Sequence, residues 1–298
     1  MAGEAAAHHD LRVVRAGDVE LHYVTAGDPA RDPARDPARP SVVLVHGGGH
    51  DWRHWRKHLP HFAERWHVVA YSRRYAEPNR NDTLAPDYSA KSDARDLLAL
   101  LDALGLARVH LVAHSIGAVA ALFLATGHPD RVDRLVVAEP PVLRWIRGMP
   151  GGEAMWQRFE ARMWRPAAER FHAGDAEGAM RIITDSFAGE GTFDRLHERS
   201  RRRVLENARD WEAFQRSTDS FPELPRERVR ALDRPVLMLS AERTIPAHRM
   251  VDDELERLLP RVERVRIADA SHDMWVDQPE ATRAAALAFL SRPDAELP

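Results

Sequence analysis

The order of apolar and polar positions predicts alternating strands and helices in the first and last parts of the chain. The middle of the chain lacks this alternation. Short apolar or alternating runs predict strands, and stretches with apolar residues at helical spacing predict helices. The predicted strands are residues 19–25, 41–45, 67–71, 109–113, 132–138, 235–240 and 262–267, and the predicted helices are 51–66, 89–104, 116–127, 248–259 and 279–290. Strands that alternate with helices of this length predict an α/β fold, a doubly wound and mostly parallel sheet with helices on both faces.

The middle of the chain, residues 140–225, contains helix-like stretches and no convincing buried strand. We therefore predict a core formed by residues 1–139 and 226–298, interrupted by a helical cap at 140–225. The cap is rich in large rings, which are Trp145, Trp156, Phe159, Trp164, Phe171, Phe187, Phe193, Trp211, Phe214 and Phe221. Most of these rings should pack the cap onto the core, and a few should line the cleft beneath it. Such a lining favours a bulky apolar or aromatic substrate.

Residues 28–39 consist of three tandem copies of Asp-Pro-Ala-Arg. A proline at every fourth position excludes a regular helix or strand, because proline lacks the N–H and fixes its own backbone angle. We interpret the repeat as an expanded surface loop, where insertions are best tolerated. An interaction motif is the alternative.

Composition narrows the class of protein. The 298 residues are 44% hydrophobic and 30% charged, values typical of a soluble globular chain. Cysteine is absent, which excludes disulfides, thiolate catalysis and cysteine metal sites. The net charge of -3 gives no reason to expect nucleic acid or an anionic membrane as partner. Without a signal-like or membrane-spanning run, we predict a cytoplasmic protein with a small-molecule substrate; homo-oligomerisation is left open.

A serine lies at the junction of a predicted strand and a predicted helix. The apolar segment 109–113 leads to Ser115, and the helix predicted for 116–127 follows at once. Such a sharp turn exposes the serine hydroxyl at the carboxyl end of the sheet and needs small residues on both sides. Gly117 supplies one of them, whereas Ala113 stands where glycine is commoner. We predict that Ser115 is a nucleophile.

Two further segments supply the groups that such a nucleophile needs. A predicted strand enters the turn His46-Gly-Gly-Gly49, where the N–H of Gly48 can stabilise an oxyanion together with the N–H of Ile116. His272 lies between the last predicted strand and the last predicted helix, at the same edge of the sheet. A neutral imidazole there can take the serine proton and return it to the leaving group.

Six residues near these groups and at the start of the cap are the predicted substrate contacts. They are Gly49, Tyr75, His114, Trp145, Met274 and Trp275. Tyr75 follows the strand predicted for 67–71, and a purely structural role in that loop is its alternative.

The segments around Gly48, Ser115 and His272 resemble the α/β-hydrolase superfamily, and the likeness covers the chain except the repeat. The chain is similar to the esterase, lactonase and C–C hydrolase branches, in which a helical cap lies between the sixth and seventh strands. This resemblance implies an eight-stranded sheet, a Ser-His-acid triad, a covalent acyl intermediate and no cofactor.

The position of the acid in the predicted triad departs from the pattern of the superfamily. Its members usually carry an aspartate shortly after the seventh strand, but the matching segment here is Ala241-Glu-Arg-Thr244. Thr244 cannot stabilise an imidazolium as a carboxylate does. Glu139, at the end of the sixth predicted strand, is the favoured acid, as in certain haloalkane dehalogenases and the lactonases that open zearalenone. Glu242 is the alternative.

Four histidines, His46, His50, His54 and His58, recur at every fourth position, a spacing that can place metal ligands on one helix face. No HExxH motif or matching carboxylate pattern accompanies them. We therefore predict a solvated helix face and no metal site, with metal binding as the alternative.

Together these features predict a serine hydrolase that cleaves a carboxylic ester or lactone of a bulky apolar or aromatic substrate, which includes macrolactones of the zearalenone type. A C–C bond hydrolase or a cofactor-free perhydrolase with the same triad is the alternative among enzymes. A weakly catalytic, receptor-like protein that binds a small ligand is the alternative from another class. An epoxide hydrolase or dehalogenase of this fold would need an aspartate in place of Ser115.

Overall fold

The computed structural model describes residues 10–28 and 40–298. Eight strands form one sheet in the order β1-β2-β4-β3-β5-β6-β7-β8. Their bounds are β1 Arg12–Ala16, β2 Val19–Ala26, β3 Ser41–Val45, β4 Val68–Tyr71, β5 Val109–His114, β6 Val132–Ala138, β7 Val236–Ala241 and β8 Val262–Ile267. Strand β2 pairs antiparallel with β1 and β4, and all other neighbours are parallel. The predicted doubly wound, mostly parallel sheet is confirmed.

Helices cover both faces of this sheet. Those of the core are α1 Leu59–Ala63, α2 Ala90–Ala103, α3 Ile116–Gly127, α10 Arg226–Arg230, α11 Pro246–Leu258, α12 Met274–Asp277 and α13 Pro279–Ser291. Successive side chains of a strand point to opposite faces, so each central strand serves two cores. In β3, Val43 and Val45 pack in the cluster that contains α2, α3 and α11. Val42 and Leu44 pack on the other face with residues of α1 and α13.

Residues 140–225, the predicted cap, lie between β6 and β7 and contain no strand. Its helices are α4 Gly152–Phe159, α5 Arg165–His172, α6 Ala176–Ala188, α7 Thr192–Arg195, α8 Glu198–Glu206 and α9 Ala208–Arg216, with a π-helix at Glu160–Trp164. Met163, Phe171, Met180 and Phe193 pack together as a separate small core of the cap.

The helix predicted for residues 51–66 is wrong. A short 3-10 helix, Trp52–Trp55, comes first, and the Asp51 side chain caps it by accepting from the Arg53 N–H. The chain then turns and starts α1 afresh with Pro60 in its first turn. Proline fits a helix start but not a helix interior, which accounts for the break.

The predicted solvated histidine face is also wrong. His46 and His58 are buried, and His50 and His54 are partly buried. The segment packs beneath the loop that follows β8, where His58 donates its Nε2–H to the Trp275 carbonyl oxygen over 3.1 Å.

The Asp-Pro-Ala-Arg repeat lies, apart from Asp28, outside the described residues. Among the described residues, no helix has the length and apolar character needed to cross a membrane.

Candidate active site

Ser115 occupies a strained turn between β5 and α3. Its φ of 53° and ψ of -128° lie where side chains are rarely found, and α3 begins at the next residue. A Cβ atom on Gly117 would lie only 2.3 Å from the His46 carbonyl oxygen, so glycine is required there. Ala113 is fully buried between Val45 and Val137 of the neighbouring strands, where its single methyl group fits.

His272 follows β8 and contacts Ser115 directly. Its Nε2 lies 2.9 Å from Ser115 Oγ. His114 fixes the backbone at this point by donating its Nε2–H to the His272 carbonyl oxygen over 2.8 Å. The imidazole is therefore held within hydrogen-bond reach of the serine proton.

Glu139 approaches His272 from the end of β6. The residue is fully buried with a φ of 42°, and its Oε2 lies 2.8 Å from His272 Nδ1. Its other oxygen, Oε1, accepts the Ala241 N–H over 2.8 Å. Glu242 is exposed and accepts the Asp269 N–H. Of the two candidate acids, Glu139 is the one that contacts His272.

His248 is a residue of the site that sequence reasoning missed. It lies in the first turn of α11, fully buried, with Nδ1 3.3 Å from Glu139 Oε2 and its ring centroid 4.4 Å from that of His272. Glu139 thus accepts from two imidazoles. The sequence could have indicated His248, because it follows the strand predicted for 235–240 and the turn after β7 lies at the same carboxyl edge of the sheet as Ser115.

The charges of this cluster favour an ionised acid and a neutral base. Burial alone would raise the pKa of the Glu139 carboxyl, but the hydrogen bonds from His248 and His272 outweigh it and hold that pKa well below its ordinary value. For His272, burial and the neighbouring His248 lower the pKa more than Glu139 raises it. The imidazole is therefore neutral at neutral pH, as a general base must be.

Two backbone N–H groups flank the serine. Ile116 is the first residue of α3, and a first-turn N–H has no acceptor within its own helix. Gly48 lies across the opening in the turn after β3, and it lines the same cavity as Ser115 and Ile116. His46 braces this turn by accepting the Arg73 N–H at Nε2 over 2.9 Å.

The cavity beside Ser115 is formed mostly by side chains of the cap. Besides Gly48, Ser115 and Ile116, its lining residues are Pro141, Leu143, Phe159, Met163, Trp164, Phe187, Trp211, Phe214, Ser220 and Phe221. Six of these carry aromatic rings, so apolar surface dominates the space next to the serine hydroxyl.

The six predicted substrate contacts do not line this cavity. Trp145 is buried and donates its Nε1–H to the Leu224 carbonyl oxygen. Met274 and Trp275 belong to α12 and pack into the core. The Tyr75 hydroxyl bonds to backbone groups of its own loop, as in its structural alternative.

His114 and Gly49 lie beside the site rather than in it. His114 supports the His272 loop, and Gly49 has a left-handed backbone with the Trp211 ring against it. The prediction placed substrate contacts close to the motifs in sequence, whereas the structure supplies the cavity wall from the cap.

Two cap rings cover the reactive groups instead. Phe187 of α6 stacks over His272 at a centroid distance of 5.6 Å and over His248 at 6.0 Å. Trp211 of α9 packs against Gly48, where an added methyl group would lie 3.0 Å from the ring. Both rings were assigned to the cap from sequence, but which rings face the site depends on how its helices pack.

The model of the family with the α/β hydrolase fold matches residues 40–279. The chain belongs to this family. The solved structure of the enol-lactonase from Burkholderia xenovorans LB400 is similar, with a TM-score of 0.76 and 18% identity over 94% of this chain and 100% of the other. At that identity, the likeness concerns the fold of this α/β hydrolase.

Curated relatives match parts of the α/β hydrolase. The putative carbamate hydrolase RutD of Caulobacter vibrioides is 35% identical over 142 residues, 47% of this chain and 48% of the relative. The 2-heptyl-3-hydroxy-4-quinolone dioxygenase AqdC2 of Rhodococcus erythropolis is 41% identical over 101 residues, 34% of this chain and 37% of the relative. The match thus spans about half the length of these relatives or less.

Proposed function

We propose that this α/β hydrolase cleaves a carboxylic ester or lactone through Ser115, His272 and Glu139. The observation that carries this proposal is the continuous chain of contacts from Ser115 Oγ through His272 to Glu139 Oε2, at 2.9 Å and 2.8 Å. This chain opens onto a largely apolar cavity. Nucleophile, base and orienting acid are in the mutual order that acyl transfer requires.

In the proposed reaction, Ser115 Oγ attacks the carbonyl carbon while His272 Nε2 takes its proton. Glu139 holds the imidazole by its Nδ1–H and stabilises the positive charge that forms. The N–H groups of Gly48 and Ile116 stabilise the oxyanion. His272 returns the proton to the leaving alkoxide, and water then releases the acid from the acyl-enzyme. In a lactone, alcohol and acid leave as one molecule.

The cavity lining supports a bulky apolar or aromatic substrate. Aromatic walls bind flat rings through stacked and edge-on contacts. Ser220 is a polar side chain of this wall. Aromatic esters and aromatic macrolactones of the zearalenone type are therefore the first compounds to assay, and the structural likeness to an enol-lactonase is in keeping with lactones.

The decisive experiment is intact mass spectrometry after treatment with a fluorophosphonate probe. We expect one adduct on the native protein and none on Ser115→Ala, because only an activated serine displaces fluoride. Product analysis with an ester, a lactone and a β-diketone then separates hydrolysis of C–O bonds from hydrolysis of C–C bonds. A folded native protein that takes up no probe and returns a bound ligand unchanged would contradict the proposal and favour a binding protein.

The likeness to AqdC2 supports one other candidate, a dioxygenase that acts on a hydroxylated heteroaromatic ring. Such a reaction needs a base to form the ring anion that meets O₂, but it needs no acyl-accepting serine. The effect of Ser115→Ala therefore distinguishes the two candidate activities. Ser115→Ala would keep O₂ consumption with a 3-hydroxy-4-quinolone while His272→Ala would abolish it, whereas ester or lactone hydrolysis needs both side chains.

A further inference from the structure

A second group of polar side chains lies behind the proposed active site. His50 and His54 come from the segment after β3, and Asp273 comes from the loop after β8. One ligand atom from each of the three lies within 4.8 Å of the others. The rings of His50 and His54 are 4.5 Å apart between centroids. Two segments that are far apart in sequence thus bring two imidazoles and a carboxylate to one point.

Two of these side chains have buried atoms that bond to nothing in the described part of the chain. They are His54 Nε2 and Asp273 Oδ1. A buried polar atom without a partner is costly, and most buried polar atoms in proteins have one. All three side chains are only partly buried, so the group is open to solvent on one side. These atoms indicate a group built to receive a ligand from that side.

An ion pair within the group does not account for this arrangement. Among the described residues, no oxygen of Asp273 forms an ion pair with His50 or His54 at an N···O distance of 4.0 Å or less.

A second cluster of two histidines and one carboxylate consists of Glu139, His248 and His272. It differs in one respect from the cluster of His50, His54 and Asp273. Glu139 Oε2 already accepts from both of its imidazoles, at 2.8 Å and 3.3 Å. Its ligand atoms are therefore bonded to one another, whereas those around Asp273 are not.

We propose that His50, His54 and Asp273 bind a divalent transition metal ion, with Zn²⁺ the expected ion. Two imidazoles and one carboxylate suit Zn²⁺, Co²⁺ or Ni²⁺ better than Mg²⁺ or Ca²⁺, which prefer oxygen ligands. Bonds of about 2.0–2.2 Å place tetrahedral neighbours about 3.4 Å apart, so the three side chains must close up slightly on the ion. Three protein ligands leave the fourth position to solvent, on the side of His50.

The ion would link two loops that flank the proposed active site. Asp273 is adjacent to His272 in the chain, and the His54 ring stacks on His114, which holds the His272 backbone. Metal binding would therefore stabilise the His272 loop without replacing a contact of Ser115. This inference does not depend on the proposed reaction.

The test is a Co²⁺ titration of full-length, untagged protein after dialysis against EDTA, followed by its visible absorption spectrum. We expect one Co²⁺ per chain, with the intense ligand-field bands of a low-coordinate site that excess Zn²⁺ displaces. His50→Asn, His54→Asn and Asp273→Asn should each weaken binding about tenfold or more, since even the loss of a second-shell group has that effect. All three side chains are only partly buried, so each variant should fold.

Three control variants locate the ion. His61→Gln removes an exposed histidine of the same segment, and His8→Asn with His9→Asn removes the pair near the amino terminus. His248→Gln alters the Glu139 cluster. All three should keep the Co²⁺ spectrum. Absence of uptake by the folded native protein, uptake that persists in His50→Asn, or loss in His248→Gln alone would overturn the proposal.

Discussion

At the scale of the residue, the position of Glu139 in the fold, and not a sequence motif, makes it the candidate acid of the site. Its left-handed backbone turns the carboxylate from the end of β6 towards His272, while Glu242 accepts a backbone N–H elsewhere. Glu139→Gln should lower kcat of ester or lactone hydrolysis about 10³–10⁴-fold, because a neutral amide neither fixes the tautomer nor stabilises the imidazolium. Glu242→Gln is the matched control and should stay near the native rate. Steady-state kinetics on the two folded variants checks this, and the reverse ranking would assign the acid to Glu242.

The pH profile depends on His272 and its neighbour His248. Only neutral His272 can accept the serine proton, so kcat/KM should fall as pH drops through its pKa. Since burial and His248 lower that pKa, activity should persist below the ordinary histidine value of about 6.5. His248→Gln can still donate to Glu139 but removes the neighbouring imidazole, so the acid limb of kcat/KM should move to higher pH. An unchanged acid limb in this variant would limit His248 to a packing role.

The residues of the site differ in how far sequence alone could predict them. Ser115 directly follows β5 and His272 lies in the loop after β8, so the strand pattern fixes their edge of the sheet. Gly117 could be predicted because the turn leaves no room for a side chain. The rings of Phe187 and Trp211 could not, because all ten large rings of the cap have the same apolar character in the sequence. Their selection depends on the tertiary packing of helices.

At the scale of the element, α9 is anchored to the core by a buried arginine. Arg73, after β4, is fully buried and ion-paired with Asp93 of α2 and Asp210 of α9. The Tyr88 hydroxyl bonds to both carboxylates. This network fixes the helix that carries Trp211 over the Gly48 turn. It was not predictable, because the two aspartates are 117 positions apart in the sequence.

Arg73→Leu should therefore destabilise the protein strongly. It leaves two buried carboxylates without a cation, and breaking a buried pair in this way costs about 3–5 kcal/mol. The free energy of unfolding from urea titration, read by circular dichroism, checks this value. Arg147→Leu removes an exposed pair with Glu153 and should change the midpoint little. Equal midpoints for the two variants would mean that water reaches the Arg73 network.

The strand pattern explains which elements the sequence predicted well. Strands β3 to β7 are buried on both faces, so their apolar runs stand out. Strand β1 was missed because it lies at the edge of the sheet and four of its five residues are not fully buried. The helix predicted for 51–66 failed because apolar periodicity alone does not register Pro60, which fits the start of α1 but not the interior of one long helix.

At the scale of the whole molecule, the core and the cap contribute different parts of the candidate site. The sheet positions Ser115, His272 and Glu139, and the cap supplies most of the wall that faces them. The break in the strand pattern at residues 140–225 predicted a helical segment, and the structure has helices there. It did not reveal the shape of the cavity, because that shape depends on how α6 and α9 lie over the sheet. The core would therefore determine which reaction is catalysed, and the cap which substrates bind.

This division predicts that a cap variant changes selectivity more than chemistry. Phe187 stacks over His272, so Phe187→Leu should lower kcat/KM for an aromatic ester about tenfold and leave a short acetyl ester nearly unchanged. Phe171→Leu is the matched control, since that ring packs inside the cap and does not line the cavity. The measurement is the ratio of kcat/KM for the two esters in each variant. An equal loss for both esters in Phe187→Leu would mean that the ring positions His272, and the cap would then contribute to the chemistry itself.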